Sequence, residues 1–123
     1  MPETGIGFFP DVGGGYFLPR CPGKIGVYLG LTGARIKAAD CLYAGLATHG
    51  VKTDDLGALK EALVNAAYDR DAQLVVEDVR SGFSSGFGDA PLAKIRDEIN
   101  RTFAGDSVVA IFEALAREDD DFG

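Results

Sequence analysis

Apolar residues return at helical spacing through most of the chain, and the stretches between them are short. In KIGVYLGLTG, Ile25, Tyr28 and Leu29 share one face, and Gly33 stands where a helix would end in a left-handed residue. IKAADCLYAGLATHGV predicts a second short helix stopped by Gly45, leading into an extended piece at 47–51. TDDLGALKEALVNAAY predicts a third, with Thr53 as cap, Asp54 and Asp55 in the first turn, and Leu56, Leu59, Leu63 and Ala66 on one side. A further helix is expected over 72–79, after which SGFSSGFG at 81–88 interrupts the periodicity and predicts an exposed loop. Pro91 suits a first helical position, and Leu92, Ile95, Ile99 and Phe103 follow on one face. The last helix would start at Asp106 or Ser107 and turn Val108, Ile111, Phe112 and Leu115 inward, before a solvated acidic tail at 117–123. The pattern predicts a mainly α protein with few short strands.

Composition narrows the class. With 123 residues the chain has the length of one domain, and 46% hydrophobic with 25% charged residues is a globular balance that excludes disordered and fibrous classes. No apolar run approaches the ~20 residues of a membrane span, and no basic segment leads into an apolar one, so a cytoplasmic protein without membrane contact is expected. Cys21 and Cys41 lack CxxC spacing, and the nearest histidine is His49; a disulfide framework or zinc site is not supported, and both read as small buried hydrophobes. The net charge of −7 is unevenly spread: residues 1–39 carry Arg20, Lys24, Arg35 and Lys37 against two acids. Nucleic acid is not an expected partner, because a basic overall balance or a long basic stripe is missing. The four basic groups read as a solvated helix face, with a small anionic ligand as the alternative.

Familiar catalytic motifs fail in turn. GIGFFPDVGGG places Pro10 where a dinucleotide fingerprint needs its third glycine, and no Gly-Lys-Ser/Thr follows for a P-loop. No serine sits in a GxSxG elbow, and His49, the single histidine, has no visible partner and reads as structural. Two acids remain. Glu3 precedes an apolar run in which burial would raise its pKa, whereas Asp11 precedes a helix start and should stay ionised. Two carboxylates in unlike settings can divide acid and base roles. The residues by themselves favour a surface acid at Glu3 and a helix cap at Asp11 over that division of roles.

The stretches MPETGIGFFPDVGGGYFLPR, LTGARIKAADCLYAGLATHGV and FAGDSV resemble the crotonase (enoyl-CoA hydratase/isomerase) superfamily, and within it the 3-hydroxyisobutyryl-CoA hydrolase branch, over nearly the whole chain. The resemblance implies the α/β crotonase fold, of which residues 1–123 would be a single partial domain. It also implies thioester hydrolysis of a short hydroxyacyl-CoA. Glu3 matches the catalytic glutamate, as nucleophile or as base to water; Asp11 matches the acid of the hydrolase branch, where hydratases typically carry glycine. Neither metal nor redox cofactor is implied, since coenzyme A is part of the substrate. Family members have a preceding half-chain that supplies the CoA-binding loop and both oxyanion donors. Such donors contribute about 2.7–4 kcal/mol each in acyl transfer, so the chain alone is expected to be inactive. Apolar residues around Ile6, Phe8 and Phe9 would then be open to water, and a homo-oligomer is expected. The alternatives are a non-catalytic self-associating or CoA-binding helical module, and an enoyl-CoA hydratase.

Overall fold

Gly26 shows how the first half is assembled. A Cβ at this position would lie 1.8 Å from the carbonyl oxygen of Leu18, so only glycine lets helix α2 (Ile25–Thr32) seat directly on the 3₁₀ turn Leu18–Arg20. The computed structural model describes residues 3–118. Upstream of that contact lie the 3₁₀ turn Glu3–Ile6 and the four-residue helix α1 (Gly14–Phe17). The chain between them turns through left-handed conformations at Gly7, Val12 and Gly13. Helix α2 ends as its sequence predicts: Gly33 has φ 65°, and its N–H donates to the Leu29 carbonyl at 3.2 Å.

Five more helices follow among the described residues: α3 (Ala38–Tyr43), α4 (Leu56–Asn65), α5 (Ala72–Phe83), α6 (Pro91–Lys94) and α7 (Arg96–Thr102), and then α8 (Val108–Leu115) closes the fold. The core draws Leu18, Cys21, Ile25 and Leu29 from the first half and Leu92, Ile99, Phe103 and Ile111 from the last third. Tyr28 stands edge-on to Phe103, with ring centroids 5.3 Å apart. Two side chains join the halves through backbone donors. The buried Asp40 carboxylate accepts from the Leu92 N–H at 2.9 Å, which places it on the first turn of α6, and Asn100 Oδ1 accepts from the Lys24 N–H at 2.9 Å. Helices α4 and α5 pack on each other outside this core, and α4 buries no residue completely.

Several local expectations change. No strand forms among the described residues: the 47–51 segment meets no partner strand, and its backbone bonds are the Ala47 N–H to the Cys41 carbonyl at 3.1 Å and the Ser85 N–H to the Gly50 carbonyl at 2.8 Å. Thr53 does not cap α4, because a 3₁₀ turn Thr53–Asp55 precedes that helix. Helix α5 continues through Phe83 instead of stopping at 79, with Asp71 capping its start through bonds to the Gln73 and Leu74 N–H groups; the irregular loop begins only at Ser84. The helix expected from Pro91 is broken at Ile95, yet Leu92, Ile99 and Phe103 are buried as predicted. Ser107 is the cap of α8, accepting from the Ala110 N–H at 3.2 Å. Ile111 faces inward, but Val108 and Phe112 are 50% and 68% exposed: periodicity marks an apolar face without saying whether anything in the chain covers it. Arg117, the first residue of the expected acidic tail, is exposed as expected, whereas Glu118 is largely withdrawn from water and pairs with Arg101 through both carboxylate oxygens; residues 119–123 lie outside the described residues.

Candidate active site

Glu3 opens the 3₁₀ turn Glu3–Ile6, which is held by the Phe8 N–H donating to the Glu3 carbonyl at 2.9 Å and which packs against α2. The side chain is half-buried, and its Oε2 is removed from water without a hydrogen-bond partner. A carboxylate oxygen so placed lacks the compensation that buried polar atoms normally have. Asp11 is exposed. The two acids therefore stand in unlike surroundings, one withdrawn and one in water.

Asp11 is not a side-chain cap. The N-cap position of α1 is Gly13, two residues further on, and only the backbone carbonyl of Asp11 takes part, accepting from the Gly14 N–H at 2.9 Å. The left-handed residues Val12 (φ 50°) and Gly13 (φ 83°) separate the carboxylate from the helix start.

Beside Asp11 runs an apolar groove of about 440 Å³, bounded by Pro10 and Gly15, by Val27 and Leu31 of α2, and by Val108 and Ile111 of α8. Asp106 is the one charged residue in its lining. Neither Glu3 nor Asp11 lines the groove, although Pro10 brings its edge to the residue before Asp11. Of the basic groups, Arg20 lies over the Tyr16 ring, 3.7 Å from the centroid, and donates to the Tyr16 carbonyl.

His49 has the partner that its sequence context did not reveal. Its Nε2 lies 3.0 Å from Glu77 Oε1 on α5, and its Nδ1 lies 3.1 Å from Thr48 Oγ1. Glu77 is also paired with Arg80, which together with His49 holds its carboxyl below the usual range against a smaller opposing effect of desolvation. The tie fastens the 47–52 segment to α5, a structural role. Cys21 is buried as expected, its thiol pushed up by desolvation and donating to the Phe17 carbonyl at 3.7 Å, so a reactive thiolate is disfavoured. Cys41 is free and half-buried. Among the described residues no helix is long and apolar enough to cross a membrane.

The sequence profile described as enoyl-CoA hydratase/isomerase matches residues 1–122, and the chain belongs to this family. Among its relatives, the 3-hydroxyisobutyryl-CoA hydrolase, mitochondrial, of Xenopus tropicalis is 48% identical over 120 residues, covering 94% of this chain and 31% of the relative. The small ribosomal subunit protein mS47 of Neurospora crassa is 42% identical over 127 residues, 96% of this chain and 25% of that one. A crystal structure of a carnitinyl-CoA dehydratase from Mycobacterium thermoresistibile superposes with a TM-score of 0.83 at 37% identity, covering 98% of this chain and 33% of the other. The helical arrangement is thus that of part of a crotonase fold, and the chain spans between a quarter and a third of the length of these relatives.

Proposed function

We propose that this chain carries the acid pair of an acyl-CoA thioester hydrolase acting on a short hydroxyacyl-CoA such as 3-hydroxyisobutyryl-CoA. The observation that carries the reading is the Oε2 atom of Glu3, held out of water with no partner of its own. A carboxylate oxygen with no partner of its own is free to accept a proton from water or to attack a substrate carbon. As base, Glu3 takes a proton from water while the hydroxide oxygen adds to the thioester carbon. Collapse of the adduct breaks the C–S bond, and the thiolate of coenzyme A leaves with the proton. Asp11, exposed eight residues further along the same N-terminal segment, assists proton transfer and orients the hydroxyl of the acyl group. Coenzyme A enters as part of the substrate, and no further cofactor takes part. Catalysis requires the two-thirds of the family chain that this sequence does not span, and by itself the chain self-associates through its exposed apolar residues.

The test is a chimera in which this chain replaces the matched third of the Xenopus tropicalis hydrolase. Release of coenzyme A from 3-hydroxyisobutyryl-CoA should fall by roughly 10²–10⁴-fold with Glu3→Gln and by a smaller factor with Asp11→Asn, folding unchanged. The 123-residue chain alone should not exceed its Glu3→Gln, Asp11→Asn control. Full turnover in the Glu3→Gln chimera would overturn the reading. A second reading, a non-catalytic assembly component, is favoured by the Neurospora crassa relative named as a ribosomal subunit protein; a folded chimera without turnover would support it.

A further inference from the structure

Asp11 and Gly14 are joined by a turn to which one of its residues is poorly suited. The Gly14 N–H donates to the Asp11 carbonyl at 2.9 Å, and both residues between them have positive φ, 50° at Val12 and 83° at Gly13. That is the pattern of a type I′ turn, dominated by glycine, asparagine and aspartate because the left-handed region costs them least. Gly13 fits. Val12 does not: a β-branched residue with such a φ is an outlier, and it is the one non-glycine with positive φ among the described residues. Nothing within the described chain offsets the strain, since Val12 is 89% exposed and lies outside both the core cluster and the apolar groove. Strained backbone of this kind clusters where a ligand is held. Here the neighbour is Asp11, its Cα about 3.8 Å away across the peptide bond.

We infer that Val12 is a specificity residue: presented beside Asp11 by the left-handed turn, its isopropyl group meets the carbon branch next to the hydroxyl-bearing carbon of the acyl group and favours a 2-methyl-3-hydroxyacyl thioester over the unbranched one. The inference rests on the proposed hydrolase reading, in which Asp11 orients that hydroxyl. A branched apolar side chain suits contact with a methyl group, and its stiffness about χ1 keeps its own two methyls in a fixed place. Glycine or asparagine would make the same turn with less strain but would leave the branch without an apolar neighbour.

Binding measured without turnover keeps the specificity apart from the chemistry. The Glu3→Gln chimera is titrated calorimetrically with 3-hydroxyisobutyryl-CoA and with 3-hydroxypropionyl-CoA, which lacks only the branch methyl. Adding Val12→Gly or Val12→Asn, both compatible with the left-handed turn, should weaken the branched ester by roughly tenfold, the lower end of what one methylene contributes in an apolar contact, and the unbranched ester by less than about threefold. In the 123-residue chain Val12→Asn should not lower the urea midpoint. An unchanged ratio of the two affinities in both variants would overturn the inference, as would failure of both esters to bind. Equal weakening of both esters with a lower urea midpoint of the chimera would overturn it too, by assigning Val12 to packing. A chimera with Glu3 in place that prefers the branched ester through Val12 yet releases no coenzyme A would refute the hydrolytic reading and uphold the specificity. If the chimera does not fold, residues 8–17 alone are grafted into the Xenopus tropicalis hydrolase, and the ratio of kcat/KM for the two esters decides by the same criteria.

Discussion

The N-terminal segment 3–17 and the α2/α7 core are built from similarly apolar sequence, yet they treat it in opposite ways. Ile25, Leu29, Ile99 and Phe103 are almost wholly buried, while Ile6, Phe9, Val12 and Tyr16 stand in water. Hydrophobicity is therefore not the distinction. In the core each apolar stripe has a facing stripe within the chain, and Ile6, Phe9 and Val12 have no such cover among the described residues. The self-sufficient part of the molecule is the one without candidate chemistry, and the part carrying both acids is the one left open.

Paired glycine substitutions give the sharpest break of that comparison. Gly26→Ala puts a methyl group 1.8 Å from the Leu18 carbonyl oxygen, a backbone atom that cannot step aside. The helix-propensity gain of up to about 1 kcal/mol is outweighed by overpacking, and urea denaturation should show a net loss of at least about 2 kcal/mol. Gly15→Ala, in the open segment, meets nothing within 4 Å and should gain about 0.5–1 kcal/mol. Losses of equal size at both positions would erase the distinction between the regions.

The acids repeat the contrast at smaller scale. Asp40 is buried and accepts from the Leu92 N–H at the start of α6, so Asp40→Ala leaves a buried donor unpaired and should cost about 1–3 kcal/mol, with Asp40→Asn recovering part of it. Asp11, exposed and without a capping role, should tolerate Asp11→Ala within about 0.5 kcal/mol in the same denaturation assay. A loss at Asp11 comparable to that at Asp40 would show that the open segment has a folding role after all.

These residues also show what the sequence could disclose. The faces of α2 and of the α6/α7 stretch were legible, because a stripe at helical period leaves a local pattern, and Gly33 and Ser107 marked ends by local chemistry. Asp40 reads locally as an acid in the first turn of its own helix, whereas its work is done on α6, a pairing that leaves no trace in spacing. His49 and Glu77 escaped for the same reason. The exposure of Val108 and Phe112 escaped for another: an amphipathic pattern identifies the face and not its cover. Glu3 and Asp11 stood out through the motifs they share with a family, and what their surroundings add is the bare Oε2 of Glu3 and the lack of any cap at Asp11.

The smallest expected effect lies in a third region, where the 47–52 segment is tied to α5. Arg80, by its hydrogen bond, and then His49 hold the Glu77 carboxyl below its ordinary range, although burial of the group acts the other way. A carboxyl whose pKa is lower in the folded than in the unfolded chain binds protons less readily when folded. Its contribution to stability is therefore fully present above the unfolded pKa and is lost as pH falls through the folded one. Glu77 is half-exposed, which makes that contribution modest and sensitive to salt. Glu77→Gln should thus lower the urea midpoint slightly at neutral pH, and the difference from the unsubstituted chain should shrink as the solution is acidified, until the two curves meet. A difference that stays constant down to acid pH would mean that the His49–Glu77–Arg80 contact does not hold the α4/α5 pair to the segment before it, and that this pair is attached by its apolar contacts alone.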